Sequence, residues 1–359
     1  MPLDAPGRWG LNDVDSAGVM PPTWATQATN IDLQDGRPRG RARMVEQFSN
    51  LTFSNGVTRL HWLYSSSSSS VLIASNETEI RNSADTALTG TITTNLQDSS
   101  IHFVNAGPGV IYGIRAGDTV DAPNIKSTAG AAFADVSASA GTWPTGSCGT
   151  YAYGRMWVPD SEYSSVLDYS ALGDADDWSA ASGSGSLDLS NVWTLGADSI
   201  VAVHAFGSSL VVFGLRHTVV YSDGAGSDTG IDPDTAYVAD VIENVGCIGQ
   251  QTIGEVAGDL FWVSHRGVES FSRLIQFKDN PLAVASWQVQ QAIGTRARNS
   301  GKSIATYNFA EGITGRAVPD LGVYIFNDST EDPMYIFHAG EFLLDPRCLS
   351  QMDREWPWM

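Results

Sequence analysis

The sequence predicts an all-β protein, a single β-propeller of about six blades. Two observations predict this class: a strand–turn–strand pattern recurs along the chain, and no long segment has the 3.6-residue apolar periodicity of an amphipathic helix. The composition agrees, because 36 glycines and 10% aromatic residues suit turns and strands. A propeller blade is a small antiparallel sheet that cannot bury both faces alone, so such sheets stack around an axis.

The recurring unit is a tight β-hairpin in which two apolar strands flank polar or glycine-containing turn residues. One copy, L-F-W-V-S-H-R-G-V-E-S-F-S-R, begins at residue 260. Predicted hairpins span residues 71–82, 101–115, 154–170, 210–223, 260–273 and 322–338. Further strands are predicted to precede three of them, at residues 58–65, 199–207 and 251–259. Successive hairpins begin 30 to 62 residues apart, which fits blades with variable loops. Because the first interval is the short one, the first two blades are expected to be irregular or to share a strand.

The predicted propeller covers residues 51–350. An extended N-terminal segment with a first strand precedes it in residues 1–50, and a short C-terminal tail follows in residues 351–359. Closure of the ring removes most open sheet edges. A pair of β-sandwiches and a β-helix are the alternative architectures. The best helical candidate, V-A-S-W-Q-V-Q-Q-A-I at 284–293, is short.

The chain is strongly acidic, with 40 Asp and Glu residues against 20 Lys and Arg residues. Residues 127–265 hold 17 acidic residues and only two basic ones, Arg155 and Arg216. Such a surface repels phosphate, so tight binding of nucleic acid is not expected. Two glycine-containing loops concentrate the carboxylates, at 173–178 and 223–234. These loops could coordinate calcium, but neither has the EF-hand register, and solvated loops are the favoured interpretation.

The basic residues cluster near the N-terminus, where R-P-R-G-R-A-R occupies residues 37–43. One interpretation is that the planar guanidinium groups dock onto carboxylates of an adjacent subunit or another protein; a solvated turn is the other. The C-terminal M-D-R-E-W-P-W-M is predicted either to anchor on a neighbouring subunit or to pack on its own core. The candidate docking residues are Arg37, Arg39, Arg41, Arg43, Trp356 and Trp358.

No sequence motif points to catalysis. G-x-S-x-G does not occur, and the G-K-S at 301–303 resembles the end of a phosphate loop but has Arg296 where the first glycine is required. The histidines are scattered and are predicted to be isolated polar residues, with His217 and His265 in hairpin turns. Buried free thiols are predicted for the three cysteines, Cys148, Cys247 and Cys348.

Neither a membrane span nor a secretory signal is expected. No apolar run approaches 18 residues, and the N-terminus lacks a basic region followed by an apolar stretch.

The segment P-P-T-W-A-T-Q-A-T-N-I-D-L-Q-D-G-R-P-R-G-R (21–41) resembles the opening of phage tail-nozzle proteins. This family is also called tail tubular protein B or packaged-DNA stabilisation protein. Three later segments look like blades of the same family: V-L-D-Y-S-A-L-G-D-A-D-D-W (166–178), S-I-V-A-V-H-A-F-G-S-S-L-V-V-F-G (199–214), and G-C-I-G-Q-Q-T-I (246–253) followed by G-D-L-F-W-V-S-H-R-G-V-E-S-F (258–271).

The resemblance implies a structural, non-enzymatic role in the virion tail of a short-tailed bacteriophage, after assembly in the host cytoplasm. Such proteins form a homohexameric ring below the head-to-tail adaptor, extend the DNA channel and retain the packaged genome until ejection. The expected partners are the adaptor, tail needle or fibre proteins, and double-stranded DNA that passes without sequence-specific binding; no cofactor and no membrane are expected. Carboxylates lining the channel would not hold DNA phosphates. The candidates for that lining are Asp174, Asp176, Asp177, Asp223, Asp228, Asp232 and Asp234.

Two other classes of function remain open. A carbohydrate-binding or glycan-cleaving propeller would use tryptophans and paired carboxylates, although the S-x-D-x-G-x-x-W box of sialidase-like propellers is missing. A scaffold propeller that binds peptides is less consistent with the sequence, because the repeated W-D dipeptide is missing and the predicted blades differ in length.

Overall fold

The structure of the chain is a computed structural model. It describes residues 31–32, 39–40, 59–66, 69–75, 80–82, 101–114, 124–128, 133–136, 138–193, 198–223, 230–276, 313–319, 323–328, 334–338 and 349–352. This part of the chain is all-β, and its single α-helix, α1 (Phe271–Gln276), has six residues. The chain divides into two compact units, residues 1–44 with 245–357 and residues 45–244 with 358–359.

The strands form small antiparallel sheets in which each strand pairs with the next one along the chain. The first two strands, β1 (Ile31–Asp32) and β2 (Arg39–Gly40), form a ribbon. Sheet I contains β3 (Arg59–Ser66), β4 (Ser69–Ser75) and β5 (Ile80–Asn82). Sheet II contains β6 (His102–Asn105), β7 (Val110–Ile114), β8 (Asn124–Thr128) and β9 (Ala134–Asp135).

Sheets III and IV complete the unit of residues 45–244. Sheet III contains β10 (Thr150–Ala152), β11 (Arg155–Pro159), β12 (Val166–Tyr169) and β13 (Gly185–Asp188). Sheet IV contains β14 (Ile200–Phe206), β15 (Ser209–Gly214), β16 (His217–Asp223) and β17 (Ala236–Glu243).

The other unit contains the β1–β2 ribbon and two sheets. Sheet V contains β18 (Gly254–Val256), β19 (Asp259–Ser264) and β20 (Gly267–Ser270). Sheet VI contains β21 (Ile313–Val318), β22 (Val323–Asp328), β23 (Met334–His338) and β24 (Leu349–Met352). Phe261 of β19 stacks on Tyr324 of β22 with 5.8 Å between ring centroids, so these two sheets share an aromatic contact.

Consecutive sheets of the unit of residues 45–244 pack face to face. Strand β11 shows how: Met156 and Val158 pack in a core with Tyr112 of sheet II, whereas Trp157 packs in a core with Val212 of sheet IV. Successive residues of a strand point to opposite faces, so sheet III is buried on both sides. This explains why the strands read as continuous apolar runs rather than as alternating ones.

All six predicted hairpins are confirmed by strand pairing, β4 with β5, β6 with β7, β11 with β12, β15 with β16, β19 with β20 and β22 with β23. Two details differ. The prediction that the second strand of the hairpin at 260–273 continues to residue 273 is wrong, because β20 ends at Ser270 and α1 begins at Phe271. Of the two alternatives for the first two blades, a shared strand is wrong, because sheets I and II have separate strands in the described residues, whereas sheet I is irregular in having three strands. The helical candidate at 284–293 lies outside the described residues.

Cys148 and Cys247 are buried free thiols, as predicted, and Cys348 lies outside the described residues. In the part of the chain that the structure describes, no helix is both long and apolar enough to cross a membrane.

Candidate functional site

The acidic segment G-D-A-D-D-W at 173–178 lies in the loop between β12 and β13. Oδ1 of Asp174 accepts a hydrogen bond from the backbone N–H of Asp176 at 2.9 Å, and Oδ1 of Asp176 accepts one from the Tyr112 hydroxyl of sheet II at 2.9 Å. Burial and the Asp176 carboxylate raise the pKa of Tyr112, so this phenol remains a donor. Asp176 is half-buried, while Asp174 is exposed.

The end of the same loop is held by hydrogen bonds to Asp177 and to the preceding segment. Bonds from Ser182 and Ser179 lower the pKa of Asp177; the backbone N–H and hydroxyl of Ser179 reach its Oδ1 at 2.9 and 2.8 Å. The backbone N–H of Trp178 donates to the carbonyl of Ala140 at 2.8 Å. These contacts give the loop a defined position and keep Asp177 ionised at neutral pH.

Of the second acidic segment, residues 223–234, the structure describes Asp223, which is the last residue of β16, and residues 230–234. Oδ1 of Asp223 accepts a hydrogen bond from the Thr235 hydroxyl at 2.7 Å, and Oδ1 of Asp232 accepts one from the backbone N–H of Asp234 at 3.2 Å. Asp234 is exposed, whereas Asp223 and Asp232 are half-buried. Short side-chain-to-backbone bonds of this kind are typical of aspartate in turns.

The turn between β10 and β11 contacts both acidic segments. The Tyr153 hydroxyl donates to the carbonyl of Ser209 in sheet IV at 2.8 Å, and the backbone N–H of Gly173 donates to the carbonyl of Gly154 at 2.7 Å. Gly230 lies so close to the Tyr153 ring that a Cβ at this position would collide with it. The two segments therefore lie at the same end of sheets III and IV. We call this region the acidic end, and its described members are Asp174, Asp176, Asp177, Asp223, Asp232 and Asp234.

Arg155 is the basic residue beside the acidic end, and its side chain bonds to backbone carbonyls. Nη1 donates to the carbonyls of Ser170 and Gly183, each at 2.7 Å, and the guanidinium lies 5.3 Å from the centre of the Tyr169 ring. Burial and the Asp234 carboxylate raise the pKa of Tyr169. Arg155 thus closes the loop between β12 and β13. In the described residues no group of three or more His, Cys, Asp or Glu side chains is arranged to hold a metal ion.

The remaining predicted site residues are not brought together in the described part of the chain. Arg39 lies in β2, opposite Asp32 of β1. The candidates outside the described residues are Arg37, Arg41, Arg43, Asp228, Trp356 and Trp358.

The prediction that His217 is an isolated turn residue is wrong, because it begins β16 and is fully buried. Its Nδ1 lies 2.8 Å from Oδ2 of Asp198, and this carboxylate also accepts the backbone N–H groups of Leu215, Arg216 and His217 at 3.1, 2.9 and 3.0 Å. An Asp–His pair can serve catalysis, but here the carboxylate is occupied by backbone donors and the imidazole is 0% exposed. The pair stabilises the turn between β15 and β16. No local sequence pattern predicts this contact, because the two residues are 19 positions apart.

Sequence analysis also missed a relation among three other histidines. His61, His102 and His204 lie on β3, β6 and β14, which are the first strands of sheets I, II and IV.

Comparisons with known proteins found no match in sequence and only distant similarity in structure. No protein-family model matches the chain, and no curated protein is similar to it in sequence. Among solved structures, apo AztD from Citrobacter koseri is 8% identical with a TM-score of 0.38, over 82% of this chain and 71% of that one. Hsv2p from Kluyveromyces lactis is 11% identical with a TM-score of 0.37, over 79% and 93%. The SapL1 lectin in complex with alpha methyl fucoside is 14% identical with a TM-score of 0.33, over 62% and 78%. Similarity at this level supports no argument about function.

Proposed function

We propose that this chain is a structural virion protein, the tail-nozzle subunit of a short-tailed bacteriophage, and that its sheets are the blades of one β-propeller. The resemblance of residues 21–41, 166–178, 199–214, 246–253 and 258–271 to that family motivates the proposal. The small sheets support it, because sheet III buries both faces against its neighbours, as a propeller blade does.

The acidic end is the observation on which the proposal depends. Aspartates from two loops lie at one end of neighbouring sheets, and Arg155 beside them donates its hydrogen bonds to backbone carbonyls. In a ring of copies this end would line the DNA channel. Because carboxylates repel phosphates, the duplex would slide past them without being held.

The proposed ring is a homohexamer below the head-to-tail adaptor, with needle or fibre proteins as further partners. In this arrangement the arginines at 37–43 pair with carboxylates of an adjacent subunit or of the adaptor, for which the guanidinium fork is suited. Trp356 and Trp358 provide a second contact with a neighbouring subunit. The role is structural, without catalysis and without a cofactor.

The test is the copy number of the chain in sedimented virus particles. Particles from a lysate of the source would be quantified by mass spectrometry, with the major capsid protein as the internal reference. We expect about six copies per particle, the number that the family resemblance implies for a closed cyclic ring, and little free monomer. Absence from particles, with the chain monomeric in the soluble fraction, would contradict the nozzle proposal, and glycan binding would become the function to examine.

A further inference from the structure

Strand β17 is the outermost strand of sheet IV, and its outer edge exposes a short apolar segment. Among the described strands only β16 pairs with it. Tyr237 and Val238 are 52% and 37% exposed, and Ala239 beside them is exposed as well. The pairing register shifts here, so that Ala239 has no partner in β16. An edge strand is a common place for contact with another chain, and because a bulge disrupts regular strand pairing, such a contact would depend mainly on side chains.

Carboxylates border this apolar segment. Asp240 follows it within the strand and is half-buried, and Glu243 at the end of β17 is exposed. The surrounding sequence offers little positive charge, because residues 127–265 contain 17 acidic residues and only two basic ones. The surface therefore favours a partner that is basic and that can also cover an aromatic ring.

The arginine-rich segment R-P-R-G-R-A-R at 37–43 has the complementary chemistry. Its arginines occupy every second position, and Arg39 lies in strand β2. Successive side chains of a strand point to opposite faces, so an extended course through this segment puts its four guanidinium groups on one face. A guanidinium group binds a carboxylate through two N–H groups, and it also stacks on aromatic rings.

The outer edge of β17 and the arginine-rich segment are different parts of the chain, so a contact between them in two copies is heterologous. Each copy then offers both halves of the contact, and repetition of the contact produces a ring when the rotation closes. Strand β17 begins opposite Asp223 of the acidic end and runs away from that end to Glu243. A contact along β17 therefore leaves the acidic end available to the proposed channel.

We propose that the outer edge of β17 is the surface on which an adjacent copy of this chain docks its arginine-rich segment. The residues that form this surface are Tyr237, Val238, Asp240 and Glu243. The two carboxylates accept hydrogen bonds from guanidinium groups, and one arginine stacks on the tyrosine ring. This proposal rests on the proposed ring of copies and names the surface through which neighbouring copies meet.

Mixing of two charge-reversed variants of the purified full chain tests the proposal. Arg41→Glu with Arg43→Glu reverses the segment, and Asp240→Lys with Glu243→Lys reverses the surface. Sedimentation velocity should show that the wild-type chain self-associates and that each variant alone does so at least about tenfold more weakly, because like charges then face each other. An equimolar mixture should regain the sedimentation coefficient of the wild type, because each segment then meets a surface of opposite charge.

The control for the surface variant is Glu162→Lys with Glu255→Lys. It makes the same change of charge at exposed residues outside β17. This control should self-associate as the wild type does, and it should not restore the assembly of the segment variant.

A pair of tyrosine variants tests the apolar part of the surface. Tyr237→Ser should weaken self-association about tenfold, because it removes the ring on which an arginine stacks. Tyr163→Ser, the same change at a tyrosine that is 60% exposed in the loop between β11 and β12, should leave self-association unaltered. Circular dichroism shows which variants fold, and if the surface variant does not fold, the tyrosine pair decides.

A mixture that remains dissociated although both variants fold would overturn the proposal, and so would a wild-type chain that stays monomeric. Charge reversals that lower the stability of the fold without changing sedimentation would also overturn it, because the segment would then lie on β17 of its own chain. These outcomes are separate from the copy number in particles. The expected copy number together with failure of the mixing experiment would leave the nozzle proposal standing, with a different contact between subunits.

Discussion

At the scale of single residues, Asp198 has the clearest energetic role in the structure. Its carboxylate is almost completely buried and accepts hydrogen bonds from three backbone N–H groups around the β15–β16 turn and from the His217 ring. A buried carboxylate is stable only when its lone pairs are occupied in this way. Removing it would leave the buried donors of His217 and the partly buried N–H groups of Leu215 and Arg216 without this acceptor, and each such group carries a desolvation cost.

We therefore expect Asp198→Ala to lower the free energy of unfolding by about 3 kcal/mol or more. Urea denaturation monitored by tryptophan fluorescence provides the measurement. The control is Asp234→Ala, which removes an exposed carboxylate and should change stability by less than about 0.5 kcal/mol. Equal losses in the free energy of unfolding would show that the buried hydrogen bonds of Asp198 stabilise the fold no more than an exposed carboxylate does.

His102 makes the stability of the protein depend on pH. Its pKa is about 3 in the folded chain and near 6.5 when the chain unfolds, so the unfolded chain binds more protons between these values. The contribution of His102 to stability is complete above about pH 6.5 and falls as the pH decreases, by up to about 1.4 kcal/mol per pH unit.

His102→Gln should consequently reduce the slope of unfolding free energy against pH between 6.5 and 4.5. Urea titrations at each pH give this slope for the wild-type protein and the variant. Glu255→Gln, a change at an exposed carboxylate, is the control for general effects of acid. A His102→Gln slope that matches the wild type would mean that the imidazole is protonated equally in both states.

At the scale of elements, the turn between β10 and β11 positions both acidic segments. Gly230 is required there for two reasons: its φ is +90°, and the Tyr153 ring occupies the place of a Cβ. Gly183 also has a positive φ, +81°, but a Cβ there would meet nothing within 4 Å. Substitutions at these two glycines therefore distinguish the cost of backbone strain from the cost of a steric collision.

Gly183→Ala should lower the free energy of unfolding by about 1 kcal/mol, since only the left-handed backbone is strained. Gly230→Ala should cost about 1–3 kcal/mol more, because the methyl group must also displace the Tyr153 ring. Thermal unfolding of both variants measures the difference. If both variants lose the same free energy of unfolding, the Tyr153 ring moves freely and does not fix the second acidic segment.

At the scale of the whole molecule, the charge of the acidic end should govern DNA passage through the proposed nozzle. Particles carrying Asp174→Lys with Asp234→Lys should assemble but eject their genome more slowly, because lysines in the channel would bind phosphates. The control, Glu162→Lys with Glu255→Lys, makes the same charge change at exposed residues outside the acidic end. The ejection rates of the two particles are measured by DNA-dye fluorescence. Identical rates would show that the acidic end does not line the channel.

Much of the fold can be predicted from the sequence, because a hairpin depends on neighbouring residues. Turn residues between apolar runs were enough to locate all six hairpins, and the low content of helix followed from missing periodicity. The helix at Phe271–Gln276 was missed, since six residues are too few to show a helical period.

The candidate sites depended on tertiary structure to a much greater degree. The sequence by itself determined which segments are strands, where acidic residues concentrate and that Cys148 and Cys247 are buried. Only the packing of the sheets decided that Asp176 meets Tyr112 and that Asp198 meets His217. Strand propensity and turn chemistry act over a few residues along the chain, whereas these contacts join residues 19 to 64 positions apart or lie on different sheets, where only the folded backbone sets the distance.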